Sequence, residues 1–537
     1  MTISFPEGSK YFISFQSNYC ILKCFLNLPP KKRHMIPPIS EVPPHGTQPA
    51  ISDPSPAYPP INSPRIPSLD VLRGIAILAA LFVSIWIFGG FSSNQQTGIL
   101  LRSKGLNYRL FGTVDLLLDG KMKAIIAIVF GAGMIIFMSK QPQSRFSLAD
   151  LFIRRQMWLI LFGLINAIVF LWTGDFLFHL GIMGILLFPF VRLSKRGLLI
   201  ASLIALFIFC GKNYWKYADD RKAYNKYLAV TTIEKKIKKD STDNAKKDSL
   251  LKAQKKDGLP AGQKADSLSG KSKTDTLTKQ QKNDKSAWEG KVNGMKYDAK
   301  KDDGEKKAMR STSYGKLWNH VLPTTQFKEA SWTYQTGVWD FAAMILLGMG
   351  LFKLGFFTSQ FSRLKYLWIG IAGLTAGLLL GWFRLHHNQL TLQDYANYID
   401  HHWIPYTFFF PFEMAFMAVG YASVILLVLG AGPLSGLWRG FAYVGKMALT
   451  IYLMQSIICT LFFTGFGMGY YGRLSQFQLY IIAGEICLFQ IAFSMLWLRR
   501  YYYGPAEWLL RCLMYRTWLP NKKNKPAITE STVTIQS

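Results

Sequence analysis

The sequence predicts an all-α polytopic membrane helix bundle of about ten spanning helices, interrupted by one long basic extramembrane insertion. Three observations predict it. Ten apolar runs between residues 74 and 498 reach or approach the roughly 20 residues a helix needs to cross a bilayer. Nearly all apolar content lies in those runs, so a soluble multidomain chain would have little left to bury. The short connections concentrate Lys and Arg on one side, the bias that orients spanning helices.

Residues 1–67 are Pro-rich from Pro29 onward and show no strong helical period, so they read as a disordered tail. A modestly apolar stretch at 12–28 is broken by Gln, Ser, Asn and Lys and has no small-residue cleavage site after it, unlike a signal peptide. Met35 is an alternative start. Residues 68–211 hold the first five runs, 74–91, 122–138, 157–172, 176–191 and 198–209. The fourth and fifth are the weakest, because Arg192, Lys195 and Arg196 leave little room between them. Residues 212–335 form a basic low-complexity outer loop, with about 28 Lys+Arg against about 15 Asp+Glu over 212–316. Its poverty in aromatics predicts a disordered or loosely helical segment. Residues 336–498 hold the runs 338–357, 366–383, 406–429, 441–466 and 477–498. In 499–520, Gly504-Pro505-Ala506-Glu507-Trp508 opens a mix of Trp, Leu, Arg511 and Arg516 that reads as an interfacial amphipathic helix. Residues 521–537 are a tail.

The net charge of +31 points to an anionic partner only until its location is considered. With the N-terminus inside, the short inner connections hold Lys140, Arg145, Arg154, Arg155, Arg192, Lys195, Arg196, Lys353, Arg363, Lys365, Arg439, Arg499 and Arg500. The short outer links 173–175 and 386–404 hold none, whereas the outer loop after the ninth run holds Arg473 and the first outer loop holds Arg102, Lys104 and Arg109. Both termini are therefore placed in the cytoplasm, the chain in a bacterial cytoplasmic (inner) membrane, and membrane lipid is a partner. Asp interspersed through the insertion, and the lack of a groove-reading motif, argue against nucleic acid. The six cysteines show no paired metal-type spacing, so neither a metal site nor a disulfide framework is inferred.

Ionisable groups inside spanning segments are costly and mark function. Asp175 and His179 are four residues apart and share a helix face. The tight 172–175 link sets Asn166 at similar depth on the partner helix. With Asp340, Glu413 and Glu485 near outer ends, these residues would line one outward-facing polar cavity. A carboxylate orienting an imidazole suits a general base and equally a proton relay; an interhelical hydrogen-bond network is the plain alternative. On the inner side Asp70 is placed to cap the first helix and Arg73 sits at headgroup level. Lys446 lies one turn inside the ninth run, with Gln455 and Ser456 deeper, and is a candidate for an anionic ligand or for snorkelling to the interface. Gly373, Gly377 and Gly381 repeat at four-residue spacing, a close-packing face open to oligomerisation.

These pieces together resemble the YeiB-type membrane family, catalogued as domain of unknown function 418. The resemblance runs through Leu69-Asp70-Val71-Leu72-Arg73-Gly74, Phe130-Gly131-Ala132-Gly133, Arg154-Arg155, Gly163-Leu164, Gly174-Asp175 and Gly348-Met349-Gly350. It continues through Gly445-Lys446-Met447-Ala448-Leu449-Thr450, Tyr452, Gln455-Ser456 and Gly504-Pro505 with Glu507-Trp508, Arg511 and Tyr515. The family is similar in its first helix to transmembrane acyltransferases such as lysosomal glucosaminide N-acetyltransferase. That resemblance implies an acyl-CoA donor on the cytoplasmic side, near Asp70, Arg73, Lys446, Gln455 and Ser456, and an envelope glycan or lipid acceptor outside. The chain departs from those enzymes at Ser84, where O-acyltransferases place His, and at Asn166-Ala167, where YeiB relatives commonly have His-Ala. His179 with Asp175 is then the remaining catalytic pair. Three readings stay open: an acyltransferase, a transporter or exporter using the same polar residues, and a non-catalytic envelope protein.

Overall fold

The structure, a computed structural model, describes residues 65–91, 93–102, 104–139, 147–254, 277–431 and 435–523. The predicted tail up to residue 64 with Met35, the basic positions Lys140 and Arg145, and the centre of the insertion lie outside the described residues. The first half contains α1 (Pro67–Phe88), α2 (Ser93–Arg102), α3 (Leu106–Leu117), α4 (Lys121–Met138), α5 (Leu148–Ile168), α6 (Leu177–Leu186) and α7 (Lys195–Gln254). Three helices of the insertion follow: α8 (Lys279–Met295), α9 (Ala299–Met309) and α10 (Tyr314–Phe327). A π-helical stretch, Lys328–Gly337, leads into α11 (Val338–Lys353), then α12 (Arg363–Gln393), α13 (Tyr395–His401) and α14 (Phe410–Ala431). The chain closes with α15 (Ser435–Lys446), α16 (Ala448–Phe463), α17 (Gln476–Arg500) and α18 (Pro505–Tyr515). No named strand occurs among the described residues.

Among the described residues, eight helices are long and apolar enough to cross a membrane, or nine if one bent pair is a single span. The all-α polytopic class is as predicted, and the count falls below ten for two local reasons. The 176–191 run yields only the ten residues of α6, because Pro189 lacks a backbone donor and the chain tightens into a 3-10 turn at Phe188–Arg192. The 441–466 run is broken into α15 and α16, which meet at 82°.

Two reciprocal glycine contacts bring helices into backbone contact. A Cβ on Gly74 would lie 2.0 Å from the Phe441 carbonyl oxygen, and one on Gly445 would lie 1.8 Å from that of Asp70. Likewise Gly131 meets the Ile345 carbonyl oxygen and Gly348 that of Ile128, seating α4 on α11. Any larger side chain there would force the helices apart. The Gly373, Gly377 and Gly381 face is filled by α14 and α3, where a Cβ would meet the Phe416 carbonyl and Met417 of α14 and Leu116 of α3. It serves packing within the chain and is not open to a second copy.

The described parts of the insertion are more ordered than its composition predicts. Gly211 does not interrupt α7, which runs on for 60 residues, about 90 Å at 1.5 Å per residue. Helix α8 folds back on it: Trp288, 2% exposed, packs on Tyr224 and Tyr227 and stacks on Tyr395 at 5.5 Å. Lys291 and Lys285 pair with Asp220 and Glu234 of α7. Burial and a hydrogen bond to Asp220 push the Tyr395 phenol well above its usual range, so it stays a donor. Helix α9 is tied down through Asp302 to Gln95 (2.8 and 2.9 Å) and Glu305 to Tyr471 (2.9 Å). A few aromatics suffice to seat the segment, although its average composition is that of a loose chain.

Candidate functional site

The link between α5 and α6 turns sharply, with Leu171 at φ +55°. It brings Asn166, Asp175 and His179 together in a buried cluster with Tyr452 of α16. The Asp175 carboxylate accepts from Asn166 Nδ2 (2.8 Å), Tyr452 OH (3.1 Å) and the Phe178 N–H (2.9 Å). Tyr452 in turn accepts from Trp172 Nε1 and the Phe176 N–H. Asp175 therefore closes the N-terminal turn of α6, where free N–H groups point outward.

The predicted carboxylate–imidazole pair is accordingly corrected. His179 Nδ1 lies 3.0 Å from the backbone carbonyl of Asp175, while the carboxylate turns to the helix start. A carbonyl can only accept, so Nδ1 carries the proton and Nε2 is the reactive nitrogen. Nε2 lies 2.9 Å from Thr333 Oγ1 and 3.8 Å from Glu329 Oε2. Both Glu329 carboxylate oxygens are buried without a hydrogen-bond partner, in a side chain 9% exposed. The π winding of Lys328–Gly337 supplies both groups and lets Thr333 Oγ1 reach the Lys328 carbonyl at 2.9 Å. Thr333 has one proton, so two arrangements exist. With a neutral imidazole it donates to Nε2; with an imidazolium, Nε2 donates to it and it donates to Lys328. The ring is stacked on Phe341 and edge-on to Trp332. Lys123 pairs with Asp340 and lies over the same two rings, which joins Asp340 to this site.

The other two predicted members lie elsewhere. Glu413 belongs to a buried quartet: Lys121 Nζ is 2.5 Å and Arg384 Nε 2.8 Å from its carboxylate, and Arg384 Nη2 is 3.0 Å from Asp115. Within the quartet two cations balance two carboxylates, which joins α3, α4, α12 and α14. Glu485 is on an exposed face of α17, away from any cavity with His179.

At the Arg-rich end the predicted donor residues separate. Asp70 does not cap α1; it lies in the first turn and takes Arg73 at 3.1 Å and Arg65 at 3.9 Å. Arg73 also reaches the Gly445 carbonyl at 3.4 Å. Lys446, half-buried, lies over Tyr443. Gln455 spends its amide on the Ile77 carbonyl and Gln490, and Ser456 is buried; neither faces a ligand position at this end. The break after Lys446 exposes the start of α16, and Glu507 of α18 closes it by accepting from the Leu449 and Thr450 N–H groups and the Thr450 hydroxyl.

Sequence reasoning missed Lys121, Lys123, Arg384, Glu329 and Thr333. Two lysines opening an apolar run at alternate positions were the available signal for the first two. Arg384, three residues after Gly381, shares that packed face. Nothing in local periodicity marks Glu329.

Residues 351–517 match the family model described as "Protein of unknown function (DUF418)". The chain is 25% identical over 476 residues to the uncharacterized protein YxaH of Bacillus subtilis (strain 168), covering 87% of this chain and 98% of that one. It is 24% identical over 469 residues to the uncharacterized protein YeiB of Escherichia coli (strain K12), covering 84% and 96%. No solved structure matches. The family-model match over residues 351–517, and similarity running nearly end to end along two relatives, support a YeiB-like multi-pass membrane protein similar to the DUF418 family.

Proposed function

We propose that the protein is an acyltransferase of the bacterial cytoplasmic membrane. It would take an acyl group from a cytoplasmic CoA thioester at the Arg-rich end and give it to a hydroxyl of an envelope glycan or lipid outside. The observation that carries this reading is His179, 3% exposed, with Nδ1 fixed by a carbonyl and Nε2 facing Thr333 and the Glu329 carboxylate, whose buried oxygens have no hydrogen-bond partner. The acceptor hydroxyl replaces Thr333 Oγ1 at Nε2 and gives up its proton there. Its oxygen forms the new C–O bond as the C–S bond breaks. The thiolate takes a proton from water, and His179 returns its own to water by way of Glu329. Asp175 and Asn166 hold the link that positions the ring. The enclosure of His179 favours one second reading, an exporter in which His179 and Glu329 pass a proton.

Purified protein in lipid, radiolabelled acetyl-CoA and isolated envelope test the first reading. Transfer of label is expected, with a loss of at least about 100-fold in His179→Ala, the lower range for removal of a general base. Glu329→Gln should slow turnover strongly without changing expression. Absence of transfer by the wild type, with pH-driven flux in vesicles that needs His179, would move the assignment to transport.

A further inference from the structure

The Arg-rich end carries positive charge that the fold leaves unneutralised. Arg73 comes from α1, Arg155 from α5 and Arg511 from α18, three helices that converge there. Asp70 O packs on Gly445 beside the α15–α16 break, Glu507 of α18 closes that break, and α18 lies along α5. Arg155 is placed over Phe130 and Phe137 at 5.8 and 5.9 Å, and no carboxylate pairs with it among the described residues. Arg511 lies over Tyr503 at 4.2 Å. Arg73 and Arg511 both repel the charge on Arg155, and Arg65 repels that on Arg511. Two carboxylates face these four guanidinium groups. Asp70 is shared by Arg65 and Arg73, and Glu507 is occupied by the start of α16.

We propose that Arg73, Arg155 and Arg511 form an anion site that takes a phosphate group, with Arg155 as its centre. Guanidinium groups bind phosphate oxygens in paired hydrogen bonds and are weakly hydrated, so they suit a half-buried position better than lysine does. The phosphate can belong to a soluble nucleotide-type cofactor or to the headgroup of an anionic lipid, and the chemistry of recognition is the same. The site does not depend on the acyl-transfer reading, although a phosphorylated acyl donor would use it.

Thermal unfolding of the full-length protein tests it, with inorganic pyrophosphate as probe in detergent. Pyrophosphate should raise the melting temperature of the wild type, as any ligand of the folded state does. Arg155→Met should melt higher than wild type in anion-free buffer, because a repelled charge is gone, and should need at least tenfold more pyrophosphate for the same stabilisation. A merely structural arginine would give the opposite sign. Arg511→Gln is the second variant and should lose the pyrophosphate response as well. Coenzyme A added to protein in phosphatidylcholine nanodiscs reports the soluble source. Stabilisation by phosphatidylglycerol nanodiscs that abolishes the coenzyme A response reports the lipid. No response of the wild type to pyrophosphate and to phosphatidylglycerol overturns the site, as does an Arg155→Met protein that melts lower and keeps its response. Coenzyme A binding without acyl transfer would leave the site standing and remove the acyltransferase reading.

Discussion

Glu413 shows how much one side chain can join in this protein. Its two oxygens hold Lys121 and Arg384, and through Arg384 it reaches Asp115. Removing one partner of a buried pair leaves the other charge uncompensated, at a cost of about 3–5 kcal/mol. Glu413→Gln should therefore lower stability by roughly that amount in thermal unfolding. Glu413→Gln combined with Lys121→Met should cost clearly less than the two single changes added, since residues of one network couple; simple additivity would show that the quartet does not act as a unit. Glu413 and Asp340 were legible in the sequence as charges inside apolar runs. Their partners were not. Lys121 and Lys123 stand at the edge of a run, where a lysine reads as an interfacial anchor, and Arg384 lies one residue past the predicted end of its own run. Glu329 sits in a stretch without a 3.6-residue period, because the winding there is π, so its position against His179 could not be read from spacing.

At the scale of elements, the long apolar helices were legible because their length and composition alone define them. The ends and breaks were not. The 82° bend between α15 and α16 depends on contacts from α1 and α18, which no window along the chain can contain. The insertion was misjudged for a related reason. Average composition governs whether a segment can fold alone, but α8 and α9 fold onto helices already in place. Trp288→Ala should destabilise the protein by about 3–5 kcal/mol, the range for emptying a buried tryptophan site. Circular dichroism melts would check it, and a variant that melts like wild type would show that α8 detaches freely. Deleting 235–307 removes Trp288, Lys291 and Asp302 together and should be more damaging still.

For the whole molecule, the Lys/Arg bias of the short connections predicts that the insertion lies outside. A Ser286→Cys probe on the exposed face of α8 should react with an impermeant maleimide on intact cells. The described native cysteines, Cys210, Cys459, Cys487 and Cys512, are buried and should contribute little background. Labelling only after cell lysis would invert the topology. The quartet around Glu413 has a consequence at this scale too. It carries no net charge, so the membrane voltage exerts no net pull on it. Any single neutralisation leaves one elementary charge, on which a full field acts with up to about 2.3 kcal/mol per 100 mV. Glu413→Gln should thus make the protein's lifetime in an energised membrane depend on the membrane potential, whereas removing one cation and one carboxylate together should leave it as indifferent to voltage as the native quartet.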